Sequence, residues 1–267
     1  MEARTQKQSA GSRHTAAIDD PSASQNVAEG LPAAQVWDSI YAALYAAYGP
    51  QHWWPAETRF EMIVGAYLTQ ATSWRSVERS LNNLRAAGLL SIAGIRRTPE
   101  EELRAWIRPS GFAQRKAASL HAFVRFLDRQ YRGSLNQLRQ QHPTIAREQL
   151  LSLPGVGPET ADAILLYALD HPAIVVDEYL RRVSRRHGLS SGLSSGKLFD
   201  EKLRDMAARM LRQRRLHSTE REDAGEFHAL IVEVGKRHCR ATAQCAGCPL
   251  EKFLPSTRSG AEVYDKF

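Results

Sequence analysis

The apolar positions of this chain recur with helical spacing over most of its length. Phe60, Ile63, Val64, Tyr67 and Leu68 follow i, i+3, i+4, i+7, i+8, the stripe of an amphipathic helix. Ala161, Ile164, Leu165, Ala168 and Leu169 make a second helical run. Thr98-Pro99-Glu100-Glu101 predicts a helix start, with Thr98 as N-cap, Pro99 at the first helical position and Glu101 closing a capping box. Gly88, Gly94, Pro109-Ser110-Gly111 and Gly133-Ser134 punctuate the segments. No convincing run of alternating apolar and polar residues predicts a strand. The expectation is an all-α protein of about ten helices with no internal repeat. Residues 1–31 are rich in Ser, Ala, Gln and Asp and lack aromatics, which predicts a disordered tail; 256–267 read as a second loose tail.

One break between helical runs carries chemistry. Leu153-Pro154-Gly155-Val156-Gly157-Pro158-Glu159-Thr160-Ala161 combines a Gly-x-Gly turn with a Pro suited to a first helical position. Gly155 and Gly157 let the backbone take positive φ and approach something bulky. Val156 anchors the turn from within. The N–H groups of the turn and helix start then point outward together and form an anion site. An apolar-anchored hairpin of this kind suits a DNA phosphate. Taken alone, the same residues also fit an ordinary corner between two helices.

Downstream, Ile174-Val175-Val176 leads into Asp177 and Glu178-Tyr179-Leu180. An Asp after three β-branched residues sits at a helix start and is partly desolvated by its neighbours. As an N-cap it would be structural. As a fixed carboxylate in a dry cleft it would stabilise positive charge on a sugar that is losing its base. One Asp can do both, through different oxygens.

The hairpin followed by Asp177 resembles the helix-hairpin-helix DNA glycosylases of the endonuclease III superfamily. The resemblance covers about residues 33–255. It implies two helical lobes with a cleft between them: residues 58–171, ending in the hairpin, and residues 32–57 plus 172–255, which contain the cysteines. It also implies that Asp177 is the catalytic carboxylate. Glu159, eighteen residues before Asp177, matches the position at which bifunctional relatives carry a Schiff-base lysine. A carboxylate cannot form a Schiff base, so the expected reaction is hydrolysis without strand cleavage. Glu159 in a first helical turn also complements the helix dipole, by roughly 0.3–1 kcal/mol.

Trp53-Trp54-Pro55 in a Pro-bounded loop, and Trp74 after Leu68-Thr69-Gln70, look like the base pocket of the endonuclease III-like 3-methyladenine glycosylases. Such a pocket holds a flipped base by stacking. A cationic alkylated purine gains a cation–π attraction of about 0.5–2 kcal/mol there. Closing the core under the N-terminal helix is the alternative role for either Trp. Gln70 matches the residue that fills the gap left by the flipped nucleotide. Many relatives have Asn where Ala71 stands. His228 is expected to pack against the Trp-rich lobe rather than to catalyse.

Cys239, Cys245 and Cys248 are the only cysteines, and an odd count in one cluster argues against a disulfide framework. Relatives bind a [4Fe–4S] cluster with four cysteines in such a segment. Here the fourth position is Leu254, so the ligand set is incomplete. A cluster with another ligand, a three-iron cluster, zinc with a His such as His238, and an empty vestige all remain open.

Composition adds little. Lys plus Arg number 36 against 29 Asp plus Glu, a net charge of +7 that is consistent with a polyanionic partner. No run of about 18 apolar residues predicts a membrane span, and the N-terminus does not read as a secretory signal. The expectation is a monomeric, cytoplasmic, nucleoid-associated glycosylase. Its substrate would be double-stranded DNA carrying alkylated purines, 3-methyladenine first. The rivals are a glycosylase for oxidised pyrimidines or mismatched bases, and a non-catalytic helix-hairpin-helix DNA-binding protein.

Overall fold

A computed structural model describes residues 33–53, 56–189, 195–214 and 219–255. Among them are twelve α-helices: α1 Ala33–Tyr48, α2 Arg59–Leu68, α3 Trp74–Ala86, α4 Ile92–Arg97, α5 Glu100–Trp106, α6 Ala113–Tyr131, α7 Leu135–Arg139, α8 Pro143–Leu151, α9 Pro158–Tyr167, α10 Glu178–Arg186, α11 Lys197–Arg214 and α12 Glu220–Arg237. The all-α expectation holds, and the described residues contain only one isolated β-bridge, Cys239 to Ala243. Two helices beyond the expected ten reflect pieces as short as α4 and α7, of six and five residues, too short to show a periodic stripe. Neither expected tail lies within the described residues.

Two hydrophobic cores organise these helices. The first contains Phe60, Ile63, Val64, Tyr67 and Leu68 of α2, with Leu120, Phe123 and Leu127 of α6 and Leu150 of α8. The second packs Trp37, Tyr41 and Leu44 of α1 against Phe199 and Met210 of α11 and Phe227, Leu230 and Ile231 of α12. Helix α9 belongs to both. Ala161, Ile164 and Leu165 face the first core, whereas Ala163, Leu166 and Tyr167 face the second. A helix that is apolar all round needs partners on every side, and two lobes provide them.

One charge sits inside this shared helix. Asp162 is 1% exposed. Its carboxylate takes Arg147 Nε of α8 at 2.6 Å and Arg204 Nη2 of α11 at 2.9 Å. The ion triad therefore ties one lobe to the other through α9.

The start of α5 differs from the expectation. Thr98 ends α4 instead, its hydroxyl donating to Gly94 O at 2.8 Å. Pro99 is the residue that caps α5, without a side-chain bond. With Pro99 as N-cap, Glu102 rather than Glu101 takes the third helical position, so the expected capping box does not form.

Asp162→Ala should lower the free energy of unfolding by about 3 kcal/mol, because removal of one member strands two partly buried guanidinium groups. Urea denaturation checks this, and a loss below about 0.5 kcal/mol, as for a surface substitution, would show that the triad is not structural.

Candidate active site

The hairpin forms where expected, between α8 and α9. Gly155 has φ +77°, and a Cβ there would stand 2.4 Å from Ser119 Oγ, so both conformation and space demand glycine. Val156 is buried beneath the turn while its neighbours are exposed. Gly157 corrects the expectation of two left-handed glycines. It is the N-cap of α9, with extended backbone at φ −93°. Pro158 takes the first helical position, and the first-turn N–H groups of α9 have no intrahelical partners.

Asp177 is buried at the start of α10 and takes both expected places. Its Oδ1 accepts the Leu180 N–H at 2.7 Å, the bond of an N-cap. Its Oδ2 lies 3.6 Å from His228 Nε2 on α12. The other ring nitrogen, Nδ1, is 2.6 Å from the Tyr167 hydroxyl. Burial, with the Asp177 and Glu226 charges, raises the Tyr167 pKa well above its ordinary value, so the hydroxyl stays protonated. A His228 that accepts at Nδ1 carries its proton at Nε2, directed to Asp177. His228 does pack against the aromatic lobe, with its ring centroid 5.3 Å from that of Trp53. It also faces the carboxylate, which the sequence alone did not indicate.

A cavity of about 290 Å³ opens beside Asp177. Trp53, Gln70, Trp74, Glu159, His228 and Lys236 line it too. Trp54 and Pro55 lie outside the described residues. Trp53 stands edge-on to Tyr167 at 6.1 Å. The Glu159 carboxyl is half exposed and 3.7 Å from Arg181 Nη1. Burial and the neighbouring Asp177 charge raise its pKa, against the lowering effect of Arg181. Gln70 bridges to the hairpin, its Nε2 donating to Gly155 O at 2.8 Å and Thr160 Oγ1 at 3.0 Å.

Lys236 is a cavity residue that no motif in the sequence marks, its Nζ lying 5.7 Å from the centre of the Trp53 ring. His228, Val232 and Lys236 all line the cavity. Their spacing of four along α12 places them on one helical face, and that spacing is the signal available in the sequence.

The cysteines gather around a second, small cavity of about 20 Å³, together with His238, Glu251 and Leu254. Arg186 organises this segment, donating to Cys239 Sγ at 3.1 Å, Arg240 O at 2.7 Å and Ala241 O at 2.6 Å. Burial pushes the Cys248 thiol up to about 11, where it keeps its proton. Leu254 has no donor atom. No group of three or more His, Cys, Asp and Glu among the described residues is placed to hold a metal ion. The donor set does not fit a cluster held by four thiolates.

The family follows from residues 64–209, which match the profile of the HhH-GPD superfamily base excision DNA repair proteins. The chain belongs to that superfamily. It is 42% identical over 218 residues, 81% of its length and 94% of the relative, to MJ1434 of Methanocaldococcus jannaschii, itself only provisionally named a DNA repair glycosylase. It is 29% identical over 153 residues to endonuclease III of Bacillus subtilis, covering 57% of this chain and 61% of that one. Among solved structures, the H. pylori 3-methyladenine DNA glycosylase MagIII, bound to 1,N6-ethenoadenine, superposes with TM-score 0.66 at 25% identity, over 78% of this chain and 98% of that one. A trapped endonuclease III–DNA covalent intermediate shares the fold at TM-score 0.68 and 22% identity, over 84% of this chain and 96% of that one. The architecture is therefore the two-lobed glycosylase fold that the sequence resemblance implied.

Anaerobic reconstitution with iron and sulfide should leave the protein short of one full four-iron cluster per chain. Leu254→Cys completes the thiol set and should raise iron content and visible absorbance. Equal, stoichiometric iron in both proteins would show that another residue supplies the fourth ligand.

Proposed function

We propose that this protein is a monofunctional DNA glycosylase that removes alkylated purines, 3-methyladenine foremost, from double-stranded DNA. The observation that carries the proposal is the cavity beside Asp177, walled by Trp53 and Trp74, with Glu159 where a Schiff-base lysine would stand. In this reading the hairpin amides hold a backbone phosphate, Gln70 occupies the gap in the stack, and the flipped base enters the cavity. The protein acts as a monomer in the DNA-containing cytoplasm.

The chemistry rests on one carboxylate. As the C1′–N bond breaks, its electron pair leaves with the base and positive charge spreads over the deoxyribose. Asp177 Oδ2 opposes that charge while Oδ1 stays fixed by the Leu180 amide. Water adds to C1′ and its surplus proton passes to the solvent. An alkylated purine that carries positive charge leaves as a neutral base and needs little help from an acid. Two carboxylates, Asp177 and Glu159, stand against one ammonium, Lys236, around the cavity, a balance that favours a cationic guest. The likeness to MagIII supports the same class of base. Asp177 borders an open cavity rather than a closed core, which speaks against a purely DNA-binding role.

Lys236 favours a second reading. Its ammonium already stands over the Trp53 ring, where it would donate to the carbonyl of a neutral, oxidised pyrimidine.

An excision panel of methylated DNA and oxidised-pyrimidine oligonucleotides decides between the two. Release of alkylated purines alone is expected; release of oxidised pyrimidines alone would move the assignment to the second reading. Asp177→Asn should reduce excision by at least about a hundredfold, the scale of one transition-state electrostatic contact. Damaged-DNA binding should persist, since phosphate contacts dominate affinity. Near wild-type excision by this variant would overturn the mechanism.

Borohydride should trap no protein–DNA adduct, and strand breaks should appear only after alkali. Among the described residues that line the cavity, Lys236 is the sole lysine. An adduct that disappears in Lys236→Met would therefore reveal a lyase and end the monofunctional reading.

A further inference from the structure

Lys116 of α6 is 1% exposed, an ammonium enclosed by protein. Burying such a charge is unfavourable by several kcal/mol unless all of its donors are satisfied. Here they are. Nζ donates to Leu68 O, Thr72 Oγ1 and Ser110 O, each at 2.8 Å. Burial and the nearby Arg115 charge lower its pKa to about 8. That is above neutrality, so at pH 7 all three N–H groups are present.

Two of these acceptors bracket one short turn. Leu68 ends α2, Thr72 precedes α3, and Gln70 and Ala71 lie between them. Ala71 has φ +50°, a left-handed conformation that disfavours an alanine by roughly 1–2 kcal/mol. Asn tolerates that region better than Ala does. The turn is held in place against this strain. Thr72 Oγ1 donates onward to Ser110 O at 2.6 Å, closing the network on the third acceptor.

The same helix supports the hairpin. Ser119, one turn beyond Lys116, packs against Gly155 so closely that a Cβ would not fit. Gln70 in turn donates to Gly155 O. One face of α6 therefore underlies both turns and sets the distance between them.

We infer that Lys116 is a positioning residue: its ammonium, bonded to Leu68, Thr72 and Ser110, fixes the Gln70 turn against the hairpin in the arrangement that fills the gap in damaged DNA. This rests on the glycosylase reading and on the gap-filling role of Gln70 within it. Lys116 touches neither the base nor the sugar, and its effect passes through Gln70.

The test measures affinity of the full chain for two duplexes, one undamaged and one with a tetrahydrofuran abasic-site analogue, at a temperature where every variant is folded by circular dichroism. Lys116→Met keeps the bulk and removes the donors. It should weaken binding to the analogue about tenfold, the scale of one lost charged hydrogen bond, and leave the undamaged duplex unaffected. Thr72→Val removes one acceptor of the network and should shift the same ratio by less; it carries the test if Lys116→Met does not fold. Combining Lys116→Met with Gln70→Ala should add nothing beyond Gln70→Ala alone. A wild type that binds both duplexes equally would sink the glycosylase reading itself. A wild type that prefers the analogue, with the preference intact in both single variants or an additive loss in the double variant, would overturn only the inference about Lys116.

Discussion

Everything in this molecule hangs on α9 having no solvent face beyond its first turn. From Thr160 to Leu169 every residue is buried, so the helix is stable only while both lobes stay packed on it. The apolar contacts are non-directional and would tolerate sliding. Asp162 removes that freedom, because its two oxygens need guanidinium groups from α8 and α11 at fixed angles. The hairpin stands at one end of this helix, and Tyr167, which orients His228, stands at the other. Glu159 projects from its first turn into the cavity. Hairpin turn, cavity wall and histidine orientation are thus three properties of one buried rod.

The sequence made the rod legible because its signals are local. The Gly-x-Gly-Pro turn, the apolar run after it and Asp177 after three β-branched residues all depend on neighbours within a few positions. Two local patterns with the same spacing behaved differently. Thr219-x-x-Glu222 forms a reciprocal capping box at the start of α12. Thr98-x-x-Glu101 does not, because α5 starts one residue later, with Pro99 as its N-cap. Spacing alone does not show at which residue a helix starts, and a shift of one position removes the box.

What stayed hidden depends on distant partners. His228 and Lys236 reach the cavity only because α12 crosses behind Trp53, nearly two hundred residues away along the chain. Lys116 reads as one more surface lysine until the ends of α2 and the Ser110 turn close over it. The cysteine segment has the same character. Its spacing resembles a cluster-binding loop, yet the group that gathers it is Arg186, from a helix some fifty residues earlier. A guanidinium with several donors can organise a loop by bonding its carbonyls, and nothing near the cysteines announces it.

The strained turn at Ala71 also bears on how the molecule searches. Gln70 is tied to Gly155 and Thr160, and its turn is closed by Lys116, before any nucleic acid arrives. In the gap-filling role proposed for Gln70, a rigid probe has little ordering entropy left to lose on contact. The energy of admitting it then falls on the duplex, through the strength of pairing and stacking at each step. Such a protein would sort sites by how readily the helix opens. It would dwell at weakened pairs and pass over sound ones before the cavity has inspected any base.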